Sequence, residues 1–538
     1  MSKEFVTRNK DNQEAIKLFS GYFLKDFIVA FLLGVTCFFL GYISIHNGHT
    51  WGGEDSANGD FAQYVSQALA ILNNSIDSFV EASQFMRTNS YNGTGPIIYP
   101  WGYPILLAIG IWLFGFNIVI LKCINLACFS IFVSGFYLIC LRSLSRKLSF
   151  FASLVLITNP YFLHFHNRLL SDIPFMCIAA LGACLMHYYI PMSTYYSGTK
   201  HFVMGVLLGV ICVVAFLLRS NGIVLPVSLA CILILCLLLS ISKRIKFSSA
   251  WPIFDIFSSI SFGTLITPLF IFLMGYILIN FYFPNGGLGH PSMMMSVISI
   301  KTILGNVFYY FNVFQDFFGS IFGALGMVLA FPFLVYGIYV SIYRQFILLI
   351  FCTSVLIVNI IWPFTQGLRF VFVLIPFCIY WTFVGYTMIK LPERVRLICK
   401  VLFVSLLLIN VYVNLKHEWI PNVKNGRNFD LQTYSESALQ MYDFIKDKTK
   451  ESDIFLFPLP QILYSTTNRL SFYPSDECIK EYKCGFEALQ KASYLLLRQE
   501  DMGIWSMWQV YFQEIFRTQE LVLYRINLGY NIDLLKTK

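Results

Sequence analysis

Two carboxylates in this chain sit where they could do acid or base chemistry. Asp60 lies in Asn58-Gly59-Asp60-Phe61-Ala62-Gln63-Tyr64, and Asp172 in Asn167-Arg168-Leu169-Leu170-Ser171-Asp172-Ile173-Pro174-Phe175. A carboxylate beside a glycine and short of water can take a proton from an incoming hydroxyl or amine. Each residue also fits a purely structural role. Asp60 with Gln63 three residues on reads as a capping-box-like helix start, and Asp172 reads as an N-cap with Pro174 tolerated in the first turn.

Isolated cations form the second element: Arg168, Lys301, Arg219 in Leu218-Arg219-Ser220-Asn221-Gly222, and Arg369 in Gln366-Gly367-Leu368-Arg369-Phe370. A cation pulled to mid-bilayer costs about 2.5–3.5 kcal/mol on insertion scales. At helix edges the cost is lower, and snorkelling to the headgroups explains such residues. The sharper reading is that the four converge on an anionic head such as a lipid phosphate, which Arg grips with two hydrogen bonds. Other polar residues carry less. His164 and His166 flank Phe165 and suit interfacial packing better than a metal, Lys122 and Asn125 lie in an apolar run, and Asn92-Gly93-Thr94 fits a glycosylation sequon.

The elements that position these residues are membrane helices. Of 538 residues, 57% are hydrophobic and 12% charged, against roughly 25% charged in soluble domains. Apolar runs approaching the ~20 residues needed to cross a bilayer cover 27–45, 118–141, 148–166, 172–190, 202–219, 221–241, 260–282, 317–341, 346–363, 369–389 and 397–415. A further stretch, 101–116, is short and begins in Tyr99-Pro100-Trp101-Gly102-Tyr103-Pro104.

Charge decides whether 101–116 crosses, because short cytoplasmic loops concentrate Lys and Arg. With the N-terminus inside and 101–116 not crossing, the inner loops hold Arg142, Arg146 and Lys147; Lys200; Lys243, Arg244 and Lys246; Arg344; and Lys390, Arg394, Arg396 and Lys400. The outer loops then hold only single cations. If 101–116 crossed, the clusters would face outwards, so it is expected to be a re-entrant or interfacial helix. Asp60, Asp172 and everything after Lys416 then lie outside.

The expected fold is an all-α polytopic membrane bundle of about eleven transmembrane helices with a small C-terminal extracytoplasmic α/β domain. Its parts are a cytoplasmic segment 1–26, a membrane domain 27–415 containing the first outer loop 46–117, and an outer domain 416–538. In that outer domain Ser435 to Lys450 reads as an amphipathic helix and Asp453 to Phe457 as a strand. Cys478 and Cys484 could pair there on an oxidising side; the other cysteines lie in or beside apolar runs and behave as small hydrophobes. The net charge of +9 is spent in short loop clusters, with no basic tract suited to nucleic acid. No internal repeat relates the two halves of the membrane region, which weakens a transporter reading.

Taken together, an outer first loop with Asp60 and Tyr64, then Tyr99 to Leu107, then Arg168 to Pro174, with a late Arg369-Phe370 and an outer C-terminal domain, resembles the integral-membrane C-type glycosyltransferases. Within them the chain is most similar to the group of protein O-mannosyltransferases and lipid A aminoarabinose transferases. The resemblance spans nearly the whole chain. It implies transfer of a sugar, usually with inversion, from a polyprenyl-phosphate donor to an envelope lipid, glycan or protein acceptor outside the cell (inner) membrane.

The family's first-loop acid maps to Asp60 and its acid after the third helix to Asp172. Arg168, Arg219, Arg369 and Lys301 are the donor-phosphate candidates, and Tyr64, Tyr99 and Tyr103 the candidates for positioning acceptor or loop. Many members carry a second acid directly after the first, where this chain has Phe61, so no metal is expected there. Pro100-Trp101 likewise stands in place of a Pro-Pro pair. No cofactor is expected beyond the lipid-linked sugar phosphate. A flippase of a lipid-linked sugar, or a membrane scaffold, are the alternatives; no acid buried mid-helix, as a proton-coupled carrier would need, favours the former.

Overall fold

The computed structural model describes residues 23–46, 60–91, 95–192, 199–244, 262–285, 289, 299–317, 323–342, 344–362, 365, 367–420 and 435–528. The sequon at 92–94 and residues 58–59 lie outside them. In chain order the membrane part comprises α1 (Phe23–His46), α2 (Asp60–Leu72), α3 (Ile76–Asn89), α4 (Gly102–Phe114), α5 (Ile118–Cys140), α6 (Arg146–Ile157), α7 (Pro160–His166) and α8 (Asp172–Met192). It continues with α9 (Thr199–Leu218), α10 (Val224–Arg244), α11 (Phe262–Tyr282), α12 (Ile300–Asp316), α13 (Gly323–Ser341), α14 (Phe346–Ile361), α15 (Ile375–Met388) and α16 (Glu393–Asn414). Among the described residues, nine helices are long and apolar enough to cross a membrane, with α4 and α14 shorter apolar helices. The chain is a multi-pass membrane protein.

Among the described residues the expected runs are helical, with 221–241 and 369–389 opening in 3-10 turns, Ser220–Ile223 and Gly367–Leu374, and one run broken in two. The run 148–166 is not one helix but two, α6 and α7, joined at Thr158-Asn159-Pro160. Pro160 has no N–H for a continuing ladder and suits the first turn of a new helix. Asn159 caps that new helix, accepting from Tyr161 N at 3.0 Å, and donates to Phe317 O at 3.0 Å. Helix α4 has 13 residues, about 20 Å at 1.5 Å per residue, against a hydrocarbon core of about 30 Å. Its far end, Trp112 to Phe114, is exposed, as suits a helix that dips into lipid. In the bundle, α13 and α15 approach so closely at Gly337 and Gly385 that a Cβ on either would collide with the facing carbonyl, of Trp381 or Phe333.

The C-terminal unit contains α17 (Glu436–Lys448), β1 (Phe455–Leu456), α18 (Pro460–Thr467), β2 (Ser471–Phe472), α19 (Asp476–Lys480), α20 (Tyr482–Lys491), β3 (Tyr494–Arg498), β4 (Phe512–Arg517) and β5 (Leu521–Ile526). The strands form one sheet in the order β2-β1-β3-β5-β4. β1 runs parallel to β2 and β3, and β5 antiparallel to β3 and β4. The expected helix and strand are thus present as α17, capped by Ser435, and β1. Cys478 and Cys484 are joined in a disulfide between α19 and α20. The unit rests on the segment between α1 and α5: Tyr91 N donates to Tyr473 O at 2.9 Å, Tyr473 N to Ser90 Oγ at 3.2 Å, and α18 packs on α2.

Candidate functional site

Helix α2 presents Asp60, Tyr64 and Gln67 at i, i+4 and i+7, one above another on a single face. All three engage Tyr99. Tyr99 Oη donates to Asp60 Oδ1 at 2.6 Å, and its ring stacks on Tyr64 with centroids 4.6 Å apart. Its backbone is held by Gln67, through Gln67 Nε2 to Tyr99 O at 2.9 Å and Tyr99 N to Gln67 Oε1 at 3.1 Å. Tyr103 meets Tyr64 edge-on at 5.0 Å. Burial, together with the Asp60 charge, raises the Tyr99 phenol well above its ordinary value, and burial raises Tyr64 to about 12. Both therefore stay protonated at neutral pH, and Tyr99 serves as a hydrogen-bond donor to Asp60.

Asp172 opens α8 and is 2% exposed; Asp60 opens α2 and is 6% exposed. Their carboxylates reach across the fold. Arg369 Nε donates to both oxygens of Asp172 at 2.8 Å, and its Nη1 and Nη2 lie 3.3 Å from Asp60 Oδ2. Arg219 Nη1 pairs with Asp172 Oδ1, its guanidinium 4.9 Å from the Phe370 ring centroid. One arginine thus bridges the two acids and a second secures Asp172.

Each partner has its own support. The loop before Asp172 is pinned from α5, where Lys122 Nζ donates to Asn167 Oδ1 at 3.0 Å. From the same helix Asn125 Nδ2 donates to Arg168 O at 2.7 Å and Leu170 O at 3.0 Å. Ser171 Oγ lies 2.9 Å from Tyr64 Oη, tying this loop to α2. Arg219 stands in extended backbone between α9 and a 3-10 turn, Ser220–Ile223. Gly222 in that turn lies so close to the Ala215 backbone that a Cβ would not fit. Asn221 donates to Asn359 Oδ1 at 3.2 Å, and Asn359 donates to Phe370 O at 3.1 Å, so the segments carrying Arg219 and Arg369 share one polar link.

The structure therefore brings together Asp60, Asp172, Arg219, Arg369, Tyr64, Tyr99 and Tyr103. Among the described contacts, the cations on the two aspartates are Arg219 and Arg369. Arg168 is half-buried, its guanidinium 5.4 Å from the Phe165 ring centroid. Lys301 is exposed in the first turn of α12. Gln67, Lys122, Asn125 and Ser171 were not expected to matter. Gln67 is legible as the i+7 member of the Asp60 face; Lys122 is fully buried. No group of three or more His, Cys, Asp or Glu among the described residues is placed to hold a metal ion.

Beside the site runs an apolar cavity of about 510 Å³. It is lined from α12 by Tyr310 and Phe314, from α14 by Leu349 to Ile360, and from α15 by Ile375 to Phe383. Leu374, five residues after Arg369, lies on its wall.

No protein-family model matches this chain, and no curated protein matches it by sequence. Solved structures do match its fold. ArnT from Cupriavidus metallidurans bound to undecaprenyl phosphate aligns with a TM-score of 0.57 and 11% identity, over 93% of this chain and 98% of that one. The archaeal oligosaccharyltransferase AglB from Archaeoglobus fulgidus, in complex with an inhibitory peptide and a dolichol-phosphate, aligns with a TM-score of 0.54 and 11% identity, over 96% of this chain and 75% of that one. At these identities the likeness is one of fold. The resemblance read from the sequence is borne out at that level, including the mostly helical membrane part and the small C-terminal sheet.

Proposed function

We propose that this protein is a glycosyltransferase that moves a sugar from a polyprenyl-phosphate donor to an acceptor on the outer side of the membrane. The observation that carries the reading is the arrangement of two buried aspartates bridged by Arg369 beside an apolar cavity. A lipid-linked sugar has a phosphate and a long apolar chain, and those two features match it. The shared fold with two proteins solved with undecaprenyl phosphate and dolichol-phosphate supports the same donor class.

Asp60 is the base in this reading. Its Oδ1 is fixed by Tyr99, while Oδ2, among the described contacts, meets Arg369 at the longer 3.3 Å, so Oδ2 is the oxygen able to receive a proton. The acceptor O–H or N–H gives its proton to Asp60 as its heteroatom bonds to the anomeric carbon. The bond from that carbon to the phosphate oxygen breaks, and the polyprenyl phosphate leaves with the electron pair. Attack from the face opposite the phosphate inverts the anomeric centre. Asp60, Asp172, Arg219 and Arg369 together carry no net charge. Protonation of Asp60 makes the set singly positive at the moment negative charge grows on the leaving phosphate, and Arg guanidiniums stabilise that charge where it develops. Asp172, held by both arginines, keeps them in place. Arg168 and Lys301 are secondary candidates for the phosphate, from outside the pair that holds the acids.

Asp60→Asn tests the assignment. Asn still accepts from Tyr99 and still begins a helix, but it cannot take a proton. Transfer of sugar from a polyprenyl-phosphate donor to envelope acceptors is expected to fall by about 10²-fold or more, with the protein still folded. Full activity in Asp60→Asn would remove Asp60 as the base. A flippase reading would instead leave lipid-linked sugar crossing the membrane and no transfer in the purified wild-type protein.

A further inference from the structure

One residue that holds the Arg369 segment, Tyr309, lies on α12, a helix with two distinct faces. On one, Tyr309 Oη accepts a hydrogen bond from Gly367 N at 2.7 Å. On the same side Asn306 Nδ2 donates to Ile360 O at 2.9 Å and to Trp362 O at 2.7 Å. On the other, Val307, Tyr310, Phe311 and Phe314 line the apolar cavity. Gly367 stands two residues before Arg369 with φ of +62°, a conformation that glycine enters freely and other residues only at a cost. The direction of its N–H sets the start of the 3-10 segment Gly367–Leu374, and that segment carries the guanidinium. Elsewhere α12 is loosely covered: Ile300, Leu304 and Phe308 are exposed.

We propose that Tyr309 is a positioning residue for Arg369. Through the Gly367 amide it sets where the guanidinium meets the donor phosphate. This rests on the donor reading above. The physical warrant is that a bidentate guanidinium contact tolerates little misplacement. A hydroxyl fixing the backbone two residues upstream is therefore felt at the anion and not at the apolar chain.

The experiment compares two probes on full-length protein in lipid nanodiscs: undecaprenyl phosphate, and undecaprenol, which has the same chain without the phosphate. Tyr309→Phe is expected to weaken undecaprenyl phosphate binding about 5- to 10-fold, the worth of one hydrogen bond, and to leave undecaprenol binding unchanged. Gly367→Ala, whose Cβ meets no atom of the described residues within 4 Å but whose φ becomes unfavourable, is expected to act in the same direction. Gly367→Asn, tolerated in the left-handed region, is expected to lie nearer wild type. Phe308→Leu, on the exposed face, is expected to change neither. Equal losses for both lipids in Tyr309→Phe, or no loss for the phosphate, overturn the assignment. Should Tyr309→Phe not fold, the Gly367 pair decides by the same criterion. If the wild-type protein binds undecaprenol but not undecaprenyl phosphate, or neither, the donor reading itself falls and takes this inference with it.

Discussion

Arg369 is the side chain on which both aspartates depend, and the two depend on it unequally. Asp172 faces two guanidiniums, Arg369 and Arg219, with its side chain 1% exposed. Removing its charge leaves two buried cations with one acid between them, a class of change that costs about 3–5 kcal/mol. Asp60 shares only the longer Arg369 contacts and keeps its Tyr99 hydrogen bond when replaced by Asn, so about 1–2 kcal/mol is expected. Helix capping alone implies almost no cost for Asp60→Asn; the ion pair revises that to a modest one. Thermal unfolding should therefore rank Asp172→Asn well below Asp60→Asn, and equal losses would contradict the unequal sharing. Arg369→Lys keeps the charge but cannot span both acids with one planar fork. A fall in transfer rate on the order of 10²-fold is expected from it, measured with the folded protein.

At the level of elements, short helices and turns place the site. The face of α2 repeats Asp60, Tyr64 and Gln67 at helical spacing, and its grip on Tyr99 converts a sequence period into a fixed carboxylate. The break between α6 and α7 gives Asn159 a cap and a cross-link to Phe317 O. The disulfide between α19 and α20 staples a small sub-structure, whose Ile479 O accepts from Trp508 Nε1 at 2.8 Å. Closing so short a loop is worth about 2 kcal/mol in the chain-entropy model. Replacing both Cys478 and Cys484 by Ser is expected to lower the melting temperature of the C-terminal unit, followed by tryptophan fluorescence. Transfer activity should persist below that temperature, since neither cysteine touches the aspartates.

For the whole molecule, we propose from the distribution of basic clusters and sparse single cations an orientation with the aspartates and the C-terminal unit outside. The disulfide in that unit agrees with an oxidising side. Ser145 and Glu451, both exposed, offer a direct measurement. In intact cells a cysteine at Ser145 is expected to resist an impermeant thiol reagent and one at Glu451 to react. The opposite pattern would reverse the orientation and move the proposed site to the cytoplasm.

The sequence by itself determined the membrane class, the positions of the apolar helices, the non-spanning character expected of 101–116, and the acids and arginines worth watching. Those depend on local composition, period and charge, which need no partner to be read. Only the tertiary structure decided which cations the acids hold. Asp60 and Arg369 are 309 residues apart in the chain, and no local pattern records such a pairing. The same holds for Lys122 and Tyr309. Each looks like a stray polar residue in an apolar stretch until folding supplies the Asn167 amide or the Gly367 N–H as its partner. The break at Pro160 was visible as a proline, but only folding supplied Phe317 O as the partner of Asn159, the residue that caps the new helix.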